Sequence, residues 1–316
     1  MVKMKIYNLF TEIESSCYNG AIALGTFDGL HVGHRKIIYG ALASGIRPVG
    51  IVTFANHPLS VIAPKKEPPQ LVSPAERRKL LGEQGIDFLL ELKFTGQLAD
   101  QPPESFVKDL LKAVRPRVIL VGENFTFGVG GRGTADTLAR CAAELSAGLT
   151  GQNCQVVKVP LICTEDGAVV SSTRIRQAIQ AGNVLEAAFL LGRPLTMEGC
   201  VVHGDQQGRA IGYPTANIAI GEKRAVPANG AYAVYAAVAG ENGRLPGMAA
   251  ITSKPTAGGR KRRLEVHLLD FDGDIYGKNL QVSFVDRLRA ERRFTSFEEL
   301  KEQLEQDKLR AKEILK

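Results

Sequence analysis

The stretch Gly25-Thr26-Phe27-Asp28-Gly29-Leu30-His31-Val32-Gly33-His34 constrains this chain more than any other. An apolar run, Ala21 to Leu24, precedes it and reads as a buried strand. Ile37, Ile38, Ala41 and Leu42 follow at helical spacing. The stretch is therefore a strand, a glycine-rich turn and the opening of a helix. Gly25, Gly29 and Gly33 let the backbone approach a ligand closely and adopt positive φ. A helix starting near Gly33 offers unpaired N–H groups and the positive end of its dipole, which suits a phosphate. His31 and His34 lie across that start, so both imidazoles can point into one anion-sized space. Two surface histidines beside a turn are the plainer alternative. No Gly-Lys-Ser/Thr follows, which excludes a Walker loop. Histidine replaces the later glycines of the dinucleotide fingerprint.

Taken whole, the string resembles the HxGH nucleotidylyltransferases, which join a substrate phosphate to the α-phosphate of ATP. Its form is most similar to the subgroup that adenylylates flavin mononucleotide (FMN). That resemblance implies catalytic roles for His31 and His34. It implies ATP contacts for Gly25, Phe27, Asp28 and Gly33.

Strands and helices alternate through the rest of the first half. Strands read at Val49 to Phe54, Asp87 to Leu92, Arg117 to Gly122 and Asn153 to Lys158. A helix opens at Ser73-Pro74-Ala75-Glu76 with a Ser cap and Glu three residues on. Another covers Pro103 to Val114. Apolar strands in this alternation predict a parallel sheet covered on both faces. His57, before Pro58, reads as an extended residue at a strand end. The stretch Gly122–Thr134 carries five glycines and two aromatics at another strand's carboxyl end, where open sheets bind ligands. Phe125 and Phe127 can stack on a flat ring or return to the core, and Asn124 can bond a ring edge or a phosphate. Ser171-Ser172-Thr173-Arg174-Ile175-Arg176 opens a helix whose early arginines oppose the dipole unless an anion is present. The FMN-adenylylating family has similar strings at all three places. The resemblance implies flavin contacts for His57, Asn124, Phe125 and Phe127, and triphosphate contacts for Ser172, Thr173, Arg174 and Arg176.

The texture changes near Arg193. Short runs with a two-residue period recur, at Met197–Val202, Thr215–Ala219, Tyr232–Val238, Leu245–Ile251, Leu264–Leu269 and Gln281–Val285. They predict a small antiparallel barrel. Asp272-Gly273-Asp274 reads as a tight hairpin turn and Gly259–Arg263 as a solvated hairpin tip. Ser296 to Leu315 reads as an amphipathic helix with a Ser cap. Thr215 and Asn217 share one strand face, and their neutral oxygens suit Mg²⁺ shared with ATP phosphates. Glu265 and His267 share the face opposite Val266 and Leu268, as in any half-exposed strand. The loop after His203, with Pro214-Thr215-Ala216-Asn217 and Leu264-Glu265-Val266-His267-Leu268-Leu269-Asp270-Phe271, looks like riboflavin kinase. That implies nucleotide contacts for Gly204, Gly208 and Gly212, Mg²⁺ ligation by Thr215 and Asn217, and Glu265 as base for the flavin 5′-hydroxyl. Where the family commonly has Asn-Ile-Gly before Pro-Thr, this chain has Ala250-Ile251-Thr252-Ser253-Lys254-Pro255-Thr256.

The expectation is an α/β domain of the Rossmann-like HxGH type over residues 1–186 and a β-barrel domain with a terminal helix over 187–316. The resemblance implies riboflavin phosphorylation followed by FMN adenylylation, with Mg²⁺, ATP, riboflavin, FMN and FAD as ligands. The 316 residues suffice for two domains. Basic and acidic residues number 20 and 17 up to Glu186, and 20 and 16 beyond it, so the excess is mild and even. That suits small anions, and no basic stripe or aromatic string points to nucleic acid. Five cysteines without C-x-x-C spacing suggest reduced thiols in a cytoplasmic protein. No run reaches the ~20 apolar residues of a membrane span. A monomer or weak homo-oligomer is expected. Two other readings are an HxGH transferase for a different phosphate-bearing acceptor, with a degenerate barrel, and a flavin-binding regulator.

Overall fold

The structure, a computed structural model, describes residues 4–203, 212–256 and 259–316, with backbone only at 254–256 and 259–261. The chain divides into two compact units, Met1–Ser172 and Thr173–Lys316.

The first unit holds a six-stranded parallel sheet. Its strands are β1 (Lys5–Tyr7), β2 (Ala21–Leu24), β3 (Val49–Phe54), β4 (Phe88–Leu92), β5 (Val118–Gly122) and β8 (Gln155–Val159). They lie in the order β1-β4-β3-β2-β5-β8. The order reverses beside β2, between β3 and β5. The four inner strands are apolar almost throughout because both faces are covered. Ile22, Leu24, Val52, Leu90, Ile119 and Val121 face one core, packed by α5 (Pro103–Val114) and α6 (Ala135–Thr150). Ala21, Ala23, Ile51, Leu89 and Leu120 face the other, with Ile37, Ile38 and Ala41 of α1 (Val32–Ala43). The capping box read at Ser73 and Glu76 forms with both of its bonds and starts α3 (Pro74–Gly82). Between β5 and α6, β6 (Thr126–Phe127) pairs antiparallel with β7 (Gly133–Thr134). This small hairpin and the edge strand β1 were not apparent in the sequence, being only two or three residues long.

Apart from its first residue, α7 (Ser172–Ala181) belongs to the second unit, as does α8 (Val184–Leu191). A closed barrel follows: β9 (Leu195–Val202), β10 (Ala216–Ile218), β11 (Gly230–Val238), β12 (Leu245–Thr256), β13 (Gly259–Leu268) and β14 (Asn279–Ala290). Its order is β10-β13-β12-β11-β14-β9. Ile218, Tyr232, Ala233, Val234, Ile251, Leu264, Val266 and Phe284 are among its buried residues. The last helix, α9 (Phe297–Ile314), buries Asp307 and Ala311 and packs against β11, β12 and β14. No helix among the described residues is long and apolar enough to cross a membrane.

Two local expectations need correction. Asp272-Gly273-Asp274 is not a hairpin turn, because β13 and β14 are not neighbours in the barrel. It lies in an irregular link that lines a cavity. Gly259–Arg263 is strand rather than tip, since β13 pairs with β12 out to Gly259 opposite Thr256. Arg262 folds back to donate to the carbonyls of Val226 and Pro227 and to Asn229 Oδ1. A guanidinium with five donors can staple a loop in a way that charge counting does not reveal.

α8 packs against β9 and β14, burying Val184, Ala187, Leu190 and Leu191. A fragment beginning at Thr173 should therefore unfold at higher denaturant than one beginning at Arg193. Each buried leucine contributes about 1.5–3 kcal/mol, so the gap should reach several kcal/mol. Equal midpoints would show that α8 does not belong to the barrel's core.

Candidate active sites

In the first unit, β2, β3, β5 and β8 end at one place. Leu24, Phe54, Gly122 and Val159, the last residues of these strands, line a cavity of about 470 Å³. Ligands in open α/β sheets sit outside strand carboxyl ends where the order reverses. Gly25, Phe27, His31, Gly33, His34, Asn124, Phe125, Phe127 and Ser172 line the same cavity. Asp28 and His57 line a smaller cleft, and Thr26, Phe54 and Pro58 belong to both.

The turn is built by unusual backbone. Phe27 and Leu30 have φ of 46° and 43°, and Gly29 of 80°. A Cβ on Gly29 would also stand 2.7 Å from Leu71. His31 then caps α1: its Nδ1 accepts the His34 backbone N–H at 3.3 Å. A neutral His31 so engaged carries its proton on Nε2. The two imidazoles stack with centroids 3.7 Å apart, and Phe27 meets the His34 ring edge-on at 5.4 Å. A Cβ on Gly33 would stand 3.1 Å from the His31 ring, so glycine leaves that ring its place. Burial, and then the charge of His31, hold the His34 pKa well below the usual imidazole range. Two unit charges near 4 Å repel by about 4 kcal/mol at an effective dielectric of ~20, so the stack does not hold both imidazoles charged.

The other segments divide. Phe127 is buried against Phe106 at 5.7 Å, while half-buried Phe125 stacks on it at 5.5 Å and Asn124 is exposed. Phe127 therefore returns to the core, and Phe125 rests on it. His57 Nδ1 accepts the Leu59 N–H at 3.1 Å. Ser172 Oγ donates to the Asp28 carbonyl at 2.9 Å, joining the last segment to the turn. Thr173, Arg174 and Arg176 belong to the second unit. The Glu186 carboxylate lies 3.0 Å from Arg174 Nε and relieves the conflict with the helix dipole without a bound ligand. Arg176 is buried and Thr173 exposed. The sequence reading missed the wall made by Pro160, Leu161, Ile162 and Val170, which follows β8. It also missed Arg77, which lines the smaller cleft. The position of Pro160–Ile162 just past a strand end was the available signal.

In the second unit, Asn217 stands directly opposite Glu265 across the β10–β13 ladder. Ala216, Ile218, Leu264 and Val266 are buried, so Thr215, Asn217, Glu265 and His267 share the other face. Thr215, Glu265 and His267 line a cavity of about 290 Å³ with Tyr213, Thr252, Arg289, Arg292 and Phe294. Thr215 and Asn217 line another, about 510 Å³, with Asp272, Asp274 and Tyr276. Thr215 thus belongs to both. His267 Nδ1 lies 2.8 Å from the Pro214 carbonyl and must carry the proton there. Burial lowers the His267 pKa, against the raising effect of that carbonyl. The Tyr213 hydroxyl donates to Glu305 on α9. Arg289 Nε donates to both carboxylate oxygens of Asp307, at 3.1 and 2.9 Å. Ala250 is paired with Glu265 on the other side of β13, so the departure from the family string falls on this wall. Gly204 and Gly208 lie outside the described residues; Gly212, at φ 83°, is exposed and lines neither cavity.

The neutral state of His34 makes stability depend on pH. Its folded pKa lies below the unfolded value of 6.5, so the unfolded chain binds more protons in acid. Stability of the first unit is therefore full above pH 6.5 and falls as pH drops below it, by about 1.4 kcal/mol per pH unit for one such group. Unfolding curves from neutral pH to about pH 5 should show a shallower loss in His34→Asn than in wild type. Equal slopes would contradict the assignment.

Comparison with known proteins bears on both sites. The family model for FAD synthetase matches residues 13–174, and that for riboflavin kinase matches residues 191–315. The bifunctional riboflavin kinase/FMN adenylyltransferase of Escherichia coli (strain K12) is 37% identical over 313 residues, spanning 98% of this chain and 96% of that one. The Bacillus subtilis (strain 168) protein of the same name is 37% identical over 298 residues, 92% and 90% of the two chains. A crystal structure described as a macrolide-efflux protein from Streptococcus pneumoniae matches with a TM-score of 0.86 at 32% identity, covering 99% of each chain. That likeness carries the fold, and the efflux description stays with that protein. With these identities running through almost the full length of its relatives, the chain belongs to the bifunctional riboflavin kinase/FMN adenylyltransferase family, transferases that join a FAD synthetase domain to a riboflavin kinase domain.

Proposed function

We propose that the second unit phosphorylates riboflavin with MgATP and that the first adenylylates the resulting FMN to FAD. The observation that supports this best is convergence. Segments far apart in sequence, around His31, Asn124 and Ser172, line one cavity, and Thr215, Asn217 and Glu265 come together on one barrel face. In the kinase step, Glu265 takes the proton of the flavin 5′-hydroxyl as that oxygen attacks the γ-phosphorus, and ADP leaves. Thr215 and Asn217 supply a hydroxyl and an amide oxygen. No cluster of three acidic, His or Cys side chains able to hold a metal occurs among the described residues. That donor set suits an ion brought in with nucleotide phosphates, and Mg²⁺ there neutralises phosphate charge.

In the second step an FMN phosphate oxygen attacks the α-phosphorus of ATP and pyrophosphate leaves. No proton need be removed from the nucleophile, so positioning and charge stabilisation are the tasks. His31 and His34 supply preorganised donors, and the α1 N-terminus adds its dipole. Gly25, Phe27, Asp28, Gly33 and Ser172 shape the phosphate side. Phe125, resting on Phe127, gives the flavin ring a face, and Asn124 and His57 its polar contacts. We place the enzyme in the cytoplasm, acting on small molecules.

Incubation with riboflavin and MgATP, followed by chromatography, should give FMN and then FAD. His34→Ala should lower FAD formation by about 10²–10³ and leave riboflavin phosphorylation intact. Glu265→Gln should lower riboflavin phosphorylation by about 10²–10⁴ and leave FAD formation from supplied FMN intact. If either variant lost both activities equally, the division of labour between the units would be wrong.

A further inference from the structure

Glu91 is the penultimate residue of β4, one strand in from the sheet's edge, and its side chain is fully buried. Its Oε1 accepts from Arg77 at 2.6 Å. Its Oε2 accepts from Arg78 Nε and NH2 at 2.8 and 2.5 Å. Arg77 is itself buried, and the same NH2 group also donates to the Phe54 carbonyl at 2.7 Å. A longer bond at 3.4 Å reaches the Ala55 carbonyl. Arg78, by contrast, is half exposed and touches only the carboxylate among these groups. The buried charge is thus shared unequally. One arginine reaches the end of β3, and the other only balances charge.

What Arg77 reaches is the segment that leaves the sheet toward the cavity. Phe54 lines both the cavity and the cleft, and Asn56, His57 and Pro58 follow at once. That segment is fixed on its other side too. Asn56 donates to the Phe94 carbonyl at 3.1 Å and accepts the Phe94 N–H at 2.9 Å. A buried ion pair is a poor source of net stability, since desolvation offsets the attraction. A guanidinium held by a buried carboxylate has well-defined direction, however, and here it points at two backbone carbonyls beside the ligand cavity.

We infer that Arg77, oriented by Glu91, is a positioning residue that sets the place of Phe54–His57 and thereby the affinity of the first unit for the flavin substrate. The inference rests on the reading of this cavity as the FMN adenylylation site. It concerns flavin binding rather than the chemistry at the α-phosphorus, which lies with His31 and His34.

The test uses the full chain and steady-state adenylylation with FMN and ATP varied separately, with riboflavin phosphorylation measured on the same samples. Arg77→Lys keeps the charge, but its ammonium ends one bond short of the nitrogen that makes all three contacts. Glu91→Gln keeps shape but removes the charge and one of the two acceptor oxygens that hold the arginines. Each should raise KM for FMN by about tenfold or more, the scale of a small misplacement. KM for ATP and the kinase turnover should stay within about twofold, because lost substrate binding shows in one KM only. Arg78→Ala, which leaves the Arg77 contacts in place, should leave KM for FMN unchanged. If Glu91→Gln does not fold, Arg77→Lys and Arg78→Ala still decide. Unchanged KM for FMN in Arg77→Lys, or equal rises for FMN and ATP, would overturn the inference alone. A wild-type chain that cannot adenylylate FMN would overturn the functional reading, and this inference with it.

Discussion

A parallel sheet covered on both faces has nowhere to place polar chemistry except at its strand ends. That constraint governs the first unit. β2, β3 and β5 are buried nearly throughout, and they and the edge strand β8 each meet the cavity at their last residue. The side chains that can act therefore sit on turns, and turns need their own means of staying in place. Phe27 and Leu30 in left-handed backbone, the His31 cap and the Ser172 bond to Asp28 serve that need. The Glu91–Arg77 pair serves it from below.

The second unit meets the opposite constraint. A closed six-stranded barrel has no free edge, and its interior is filled by side chains. Chemistry must lie on the outer wall, and the period of two along each strand decides which residues face it. Asn217 and Glu265 are brought together by register rather than by any loop. The terminal helix supports one side of that wall through the Tyr213–Glu305 and Arg289–Asp307 contacts.

Much of this was legible in the sequence, because the signals were local. The turn from Gly25 to His34, the capping box at Ser73 and the two-residue period beyond Arg193 each state a geometry within a dozen residues. Glu265 and Asn217 could each be placed on a strand face, but their pairing needed a register that no single strand encodes. What escaped was non-local. Glu91 looks like an ordinary charged residue in an apolar strand until Arg77 and Arg78 are seen above it. Arg262 looks like part of a solvated basic run until the loop at Val226–Asn229 is seen beneath it. Asp272-Gly273-Asp274 has the composition of a hairpin turn, yet barrel closure places other strands between its neighbours. The division of Phe125 from Phe127 was open for the same reason, since only packing against Phe106 decides it.

The stacked imidazoles carry a thermodynamic consequence for ligand capture. A site that holds His34 neutral through burial and the field of His31 has a low proton affinity before its ligand arrives. A polyphosphate brought beside the pair reverses that field and raises the proton affinity of the stack. On the function proposed for this cavity, nucleotide binding in mildly acidic solution is then coupled to proton uptake from the medium. The observed heat of binding will include the ionisation enthalpy of whatever buffer supplies the proton, and affinity will strengthen as the solution is acidified, until the fold itself begins to yield.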